Sequence, residues 1–538
     1  MNSDTPMTAP PFDRDLLLSL AADYAHGICT QADAERLESL LRADPAARRV
    51  FVDYCMLHGQ LSLSTAAVGP GRREHAVGGV TLDRGASGGV GLGLGRAAAV
   101  LAGLSLAAAC AVMIVTAPRG MHDTGVRDAG SYDERQLPVV TVASLRDGGV
   151  AGRILTPCTV RSEEATRLVS VSGADVNLSE ASVFGVTATD AGSLYDGSVK
   201  ARLTTPDASF SVTTANLRIV DKGTAFSVER IDDDHVCVTV LDGEVEVQSR
   251  VRLPLCYWPF DEAGTAAGSQ VTDVVGGLTA VLASGATPAA GLVGAGAVRF
   301  DNTPAATAGI EGGTGDRVGT GRLSMAEGIT IEAMIMSAWS GGFRDYDEIY
   351  RKEDGNCRVL LSFQNDGNAN RHSEPDVPPG PCLSFGLHLA GRGYAELDMP
   401  LDGRDGRPAL AELTDGRPHH LVATYDSFAG RKAIFVDGVK RFEHTYRRGT
   451  LILSGGPVQP TIGNHGGGEP FTGVIDDFAL YDFALTDEEV AEHHRRAAHG
   501  GNYFGSEPPV AGGPRWQAVT RLVEGQSMTF NQRTGLPR

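Results

Sequence analysis

Apolar and polar residues alternate with a period of two through most of the chain, from about Pro138 to Arg250 and again from Leu255 to about Gly500. Stretches such as "HVCVTVLDGEVEVQ" and "KAIFVDGV" are bounded by Gly, Asp and Asn, the pattern of short half-buried strands. Apart from a short helix opened at Asp487 by the capping box of Thr486 and Glu489, a helical period is confined to the N-terminal part. There Asp13 to Ala25 carries spaced leucines, Thr30 caps a run that puts Leu37, Leu40 and Leu41 on one face, and Asp44 with Pro45 opens a third helix. Between the two patterns lie a glycine-rich stretch, Gly69 to Arg96, and 21 residues without a charge, Ala97 to Ala117. At 1.5 Å per residue that uncharged run reaches about 31 Å, the thickness of a bilayer core.

The expected fold class is therefore mainly β, in six segments. Residues 1–68 form a cytoplasmic helical segment and 69–96 a linker, and 97–117 form one transmembrane helix; 138–250 form an all-β domain, 255–500 a two-sheet sandwich and 501–538 a loose tail. Arg72, Arg73, Arg84 and Arg96 precede the span, whereas Arg119 and Arg127 follow it among Asp123 and Asp128. That bias places the N-terminus inside and both β modules outside the cytoplasmic membrane.

Composition changes this picture in two places. A formal charge of −19 with no basic stripe argues against a nucleic-acid partner, which needs Lys and Arg to replace condensed counterions. Eight scattered cysteines without a CxxC pair exclude a disulfide-framework protein. His26 and Cys29 with Cys55 and His58 have the spacing of two zinc-ligand pairs, but Cys55 and His58 share a helix face with Phe51 and Tyr54, so packing is the preferred reading.

The first β module, through "TTANLRIVDKGTAFSVE" and "VTVLDGEVEV", resembles the FecR family of bacterial regulators; Asp221, Gly223, Thr224 and Phe226, then Asp242, Gly243 and Val245, carry the likeness. The resemblance implies signal transmission by protein contact, with a sigma factor or another regulator as the inside partner. Gly223 is expected in a tight turn, Phe226 in the core, and Asp242 with Gly243 in a hairpin turn. The second module presents "YWPFDE", "GAGAVRFD", "ITIEAMIM", "HHLVATYD", "AIFVDGV", "TIGN" and "FTGVIDDFALYDFALTDEEV" in that order, and resembles the LamG-like, concanavalin A-like jelly roll. That family implies binding of a glycan or a surface protein, in some members through calcium.

Glucanases of the same fold class need two carboxylates on one face of a strand. The corresponding strand, "ITIEAMIM", offers Glu332 followed by Met334 and Met336, so no enzyme is expected. The candidate ligand contacts are Trp339, Tyr346 and Arg371 in two long polar loops; Asp476 and Asp477 are candidate calcium ligands, and Cys357 with Cys382 a candidate disulfide. No HExxH, GxSxG or phosphate-binding loop occurs, and neither His419/His420 nor His493/His494 is expected to present two ligands together. The reading is a single-pass sensor or binding protein, the alternatives being a surface adhesion or scaffold protein and, less favoured, a glycan hydrolase.

Overall fold

The computed structural model describes residues 157–538 apart from 171, 206–207, 224, 263–267, 356, 467 and 506–511, the backbone of Val139–Ser144 and Val150–Leu155, and residues 17, 36, 37, 39–41, 47 and 51. The chain divides into two compact units, Met1–Arg119 and Gly120–Arg538. In the first, Leu17, Leu37, Leu41, Ala47 and Phe51 are helical and buried, which fits a small helical core. The span 97–117, the linker, the zinc candidates and Thr224 lie outside the described residues. Among the described residues no helix is long and apolar enough to cross a membrane.

The second unit holds two sandwiches. In the first, an eight-stranded sheet ends with the neighbours Ala225–Arg230, His235–Asp242 and Ser527–Asn531, and a seven-stranded sheet ends with Leu217–Asp221, Glu244–Arg250 and Trp516–Val523. Alternation drives both: Leu217 and Ile219 point inward from one sheet, Val236, Val238 and Val240 from the other, and Phe226 is fully buried between them. Gly223 takes φ +101° and its N–H is held by Asp221 Oδ1 at 3.0 Å, the tight turn expected there.

Two expectations fail here. Asp242 and Gly243 do not close a hairpin: His235–Asp242 and Glu244–Arg250 belong to different sheets, and Gly243 at φ +77° lets the chain cross between them. Nor is the tail loose. Trp516–Val523 pairs antiparallel with Glu244–Arg250, and Ser527–Asn531 with His235–Asp242. Leu522 and Phe530 enter the core at 2% and 0% exposure, each contributing about 1.5–3 kcal/mol of burial. The tail's pattern acquires meaning only against edges laid down more than 260 residues earlier.

The second sandwich is thus inserted into the first. Its two eight-stranded sheets enclose a core that includes Trp258, Phe300, Ile331, Phe385, Leu397 and Phe478. The closing strand Thr472–Tyr481 lies between Gly296–Asp301 and Gly328–Ser337, with Cys256–Trp258 pairing Cys256 to Leu480. Thr486 caps the helix Asp487–Ala498, its hydroxyl accepting from the Glu489 N–H at 3.2 Å while Glu489 accepts from the Thr486 N–H at 2.8 Å. Val490, His493 and Ala497 face inward from this helix, onto a second cluster with Tyr257, Met334 and Val422 outside the same sheet.

The two sandwiches pack directly. The Tyr195 ring lies 4.6 Å from Phe428, its hydroxyl is 3.0 Å from Ser427 Oγ, and Arg515 reaches Asp482 at 2.6 Å.

No disulfide joins Cys357 to Cys382. The register sets Cys382 opposite Gln364, seven residues from Cys357 on the paired strand. At about 3.4 Å per residue the two sulfurs are carried to opposite ends of the hairpin, far beyond the reach of a disulfide.

Candidate ligand-binding surface

The two long loops meet at one end of the inserted sandwich. The Arg344 N–H donates to Asn365 O at 2.7 Å and the Asn365 N–H to Asp345 O at 3.2 Å, so the loops are laced together by main chain. Tyr346 adds a side-chain tie, its hydroxyl donating to Asp366 Oδ1 at 2.8 Å. Phe343 is 66% exposed, the Arg344 guanidinium lies 5.3 Å from its ring, and the ring rests so close over Gly367 that a Cβ there would collide with it. Arg371 is exposed, its Nε donating to His372 Nε2 at 3.1 Å.

Trp339 does not belong to this lip. It is 2% exposed and stacks on Phe363 at 5.4 Å within the core, because Ser337 turns the chain inward through its hydroxyl contact to the Trp339 N–H at 3.1 Å. A ligand cannot reach it without unfolding. Phe343 is the exposed aromatic in its place.

Behind the lip, residues 370–374 run along Gly393–Pro400, with the Glu374 N–H donating to Glu396 O and the Glu396 N–H to His372 O, both at 2.7 Å. Glu396 and Asp398, two apart on that strand, face the same side and are 4% and 1% exposed. Asn370 Nδ2 donates to both, at 3.0 Å to Asp398, and the Tyr394 hydroxyl donates to Glu396 at 2.6 Å. Burial, and then the charge of Glu396, push Asp398 up to about 6. The equal-parity carboxylates thus stand in "AELDMP", on a different strand from Glu332. The pair lies covered by the Asn370 loop.

Glu332 is elsewhere, on the outer face of the other sheet and under the terminal helix. It is fully buried; its Oε1 lies 2.9 Å from both His420 Nε2 and His493 Nδ1, and its Oε2 accepts from the Tyr481 hydroxyl at 2.7 Å. Burial by itself would raise this carboxyl, but the two imidazoles outweigh it and hold the group at about 2. One histidine from each sequence pair therefore meets on one carboxylate, while neither pair brings both of its members there. His493 is 8% exposed, so the helix is not exposed on this face.

The acidic pair near the chain's closing strand serves the polypeptide. Asp476 Oδ2 accepts from the Leu292 and Val293 N–H groups at 2.8 and 2.9 Å, its Oδ1 from the Asp477 N–H at 2.8 Å, and Asp477 from the Tyr257 hydroxyl. Burial raises both, Asp476 to about 7 and Asp477 to about 8. Among the described residues no three His, Cys, Asp or Glu side chains converge to hold a metal ion. In this geometry Asp476 accepts from main chain and Asp477 from tyrosine.

Comparison with known proteins agrees with this division. The family described as FecR protein matches residues 158–246, and Laminin_G_3, the concanavalin A-like lectin/glucanases superfamily, matches residues 350–491. No curated protein matches the chain. Among solved structures, the binding domain of Paraclostridial Mosquitocidal Protein 1 is 12% identical over 43% of this chain and 49% of that one, with a TM-score of 0.31. Domain 4 of AbnA, an extracellular arabinanase from Geobacillus stearothermophilus in complex with arabinotriose, is 18% identical over 44% and 96%, with a TM-score of 0.29. The binding domain of botulinum neurotoxin serotype G is 11% identical over 45% and 51%, with a TM-score of 0.33. The chain thus spans about half the length of the first of these.

Proposed function

We propose that the chain is a membrane-anchored sensor, in which the LamG-like sandwich binds a glycan or surface protein outside the cytoplasm and the FecR-like sandwich passes that event toward a regulator at the N-terminal segment. The observation that supports this reading best is the insertion. The strands after the LamG-like sandwich return to both FecR-like sheets, so the binding module is fixed at two points to the module that would transmit. Ligand contact is assigned to the lip of Phe343, Arg344, Tyr346 and Arg371, where an exposed ring can stack on a sugar and the guanidinium forks can bind its oxygens. The chain acts without chemical turnover in this reading. The 97–117 run would anchor it, with a sigma factor or similar regulator inside.

Full-length tagged chain, recovered from detergent-solubilised membranes with and without a bound glycan, provides the test. Co-recovery of a sigma factor that changes with glycan supports sensing. Recovery of no regulator in either state, together with loss of cell attachment when the gene is deleted, favours the adhesion alternative. Protease added to spheroplasts should remove residues 120–538 first; digestion confined to residues 1–96 would reverse the topology.

A further inference from the structure

The outer face of the seven-stranded FecR-like sheet is only partly covered by the inserted sandwich. Beside the contact made by Tyr195, a cleft of about 450 Å³ remains open, within the size range of small-ligand sites. Its floor is in register across adjacent strands: Ser211 and Thr213, then Arg218 opposite Thr213, then Arg250, then Trp516 opposite Arg250. Its far wall comes from the inserted sandwich, through Gly319–Gly321, Glu327 and Asp482.

Charge accounting decides what such a cleft attracts. The two acids are occupied: Arg250 bridges Glu327 at 3.6 Å and Asp482 at 3.2 Å, and Arg515 holds Asp482 as well. Arg218 has no ion-pair partner among the described residues, and lies 6.0 Å from the centre of the Trp516 ring. Arg250, 5% exposed and 4.4 Å from the same ring, keeps a buried Nε without a hydrogen-bond partner among the described residues. The remaining lining is hydroxyl-rich, and its apolar side chains are Ala191, Ala326 and the partly exposed Trp516, which leaves no pocket for peptide side chains.

We propose that this cleft binds an acidic saccharide, a short run of uronate or sulfated sugar, with a ring against Trp516 and the anionic group on Arg218. The site is separate from the loop lip and stands whether or not that lip binds a glycan. Because its walls come from both sandwiches, an occupant contacts the binding module and the FecR-like module together.

The test titrates full-length protein in detergent with trigalacturonate, a sulfated disaccharide, neutral maltotriose and a short polyglutamate peptide, following tryptophan emission and heat. Trp258 and Trp339 are 0% and 2% exposed, so a change in emission reports on Trp516. The expected result is binding of an acidic saccharide with a change in emission, weakened at least ten-fold by Arg218→Gln and less by Arg218→Lys, with the melting temperature unchanged. Trp516→Phe should remove the optical signal while calorimetric binding persists, and Phe343→Ala with Arg371→Ala should leave this binding intact. Equal affinity for maltotriose, preference for polyglutamate, indifference to both Arg218 variants, or no binding by either acidic saccharide at 10 mM or so would overturn it.

Discussion

Replacing Glu332 with Gln should destabilise the LamG-like sandwich by about 3 kcal/mol, with a pH profile that identifies the cause. The carboxyl falls from an ordinary 4.5 to about 2 in the folded chain, a change worth about 3 kcal/mol at 1.36 kcal/mol per unit. Its folded value is depressed, so its contribution is complete above the unfolded value and is lost as pH falls toward 2. His493 shifts the other way: burial lowers it, the Glu332 charge overrides that, and the net shift is upward. Its contribution is complete below its unfolded value near 6.5 and fades as pH rises through the raised folded value. The two windows overlap between about pH 4.5 and 6.5, where the penalty of Glu332→Gln should be largest. Removing one partner of a buried pair costs about 3–5 kcal/mol elsewhere, which agrees. Calorimetry of wild type and variant at half-unit steps from pH 4.5 to 8.5 should show a melting-temperature loss of about 6–12 °C at pH 5.5, shrinking toward pH 8.5. A loss below about 2 °C, or one that does not vary with pH, would refute the ion-pair account.

Trp339→Ala should lower stability by about 3–5 kcal/mol through the cavity beside Phe363, whereas Phe343→Ala should leave the melting temperature within about 1–2 °C and weaken ligand binding; differential scanning with a glycan array separates the two. Deletion of residues 516–538 should raise hydrogen exchange in His235–Asp242 and Glu244–Arg250 while sparing the LamG-like core, since only the FecR-like sheets lose a strand. Reducing agent should change neither the melting temperature nor the gel mobility, and a peptide map should contain no Cys357–Cys382 link.

Local patterns made much of this fold legible. The capping box at Thr486, the turn at Gly223 and the core position of Phe226 follow from neighbours in sequence, and each is found as expected. What escaped depends on distant pairing. "VTVLDGEVEV" has the local signature of a hairpin, yet each of its strands has better partners in separate sheets. The tail reads as weakly periodic because half of its strand Trp516–Val523 faces solvent, and Leu522 is buried only against an edge far back in the chain. His420 and His493 meet because the terminal helix folds back over the strand that carries Glu332, a fact no spacing encodes. Residue type alone does not place Trp339, because aromatic rings in polar loops also seal a core.

The insertion also sets an order of events during synthesis. When residue 250 emerges, both FecR-like sheets have an unpaired edge, and the strands that close them are more than 260 residues away. At 5–20 residues per second that interval lasts about 15–50 s, long enough for a sandwich with contiguous strands to fold first. The LamG-like sandwich then presents its two ends close together and delivers the last strands to their waiting places. A chain lacking residues 516–538 would carry an intact LamG-like sandwich on a host with two raw edges, the kind of surface that pairs with other chains and attracts proteases. The strands Trp516–Val523 and Ser527–Asn531 thus cover both edges in a single step, after the inserted sandwich is in place.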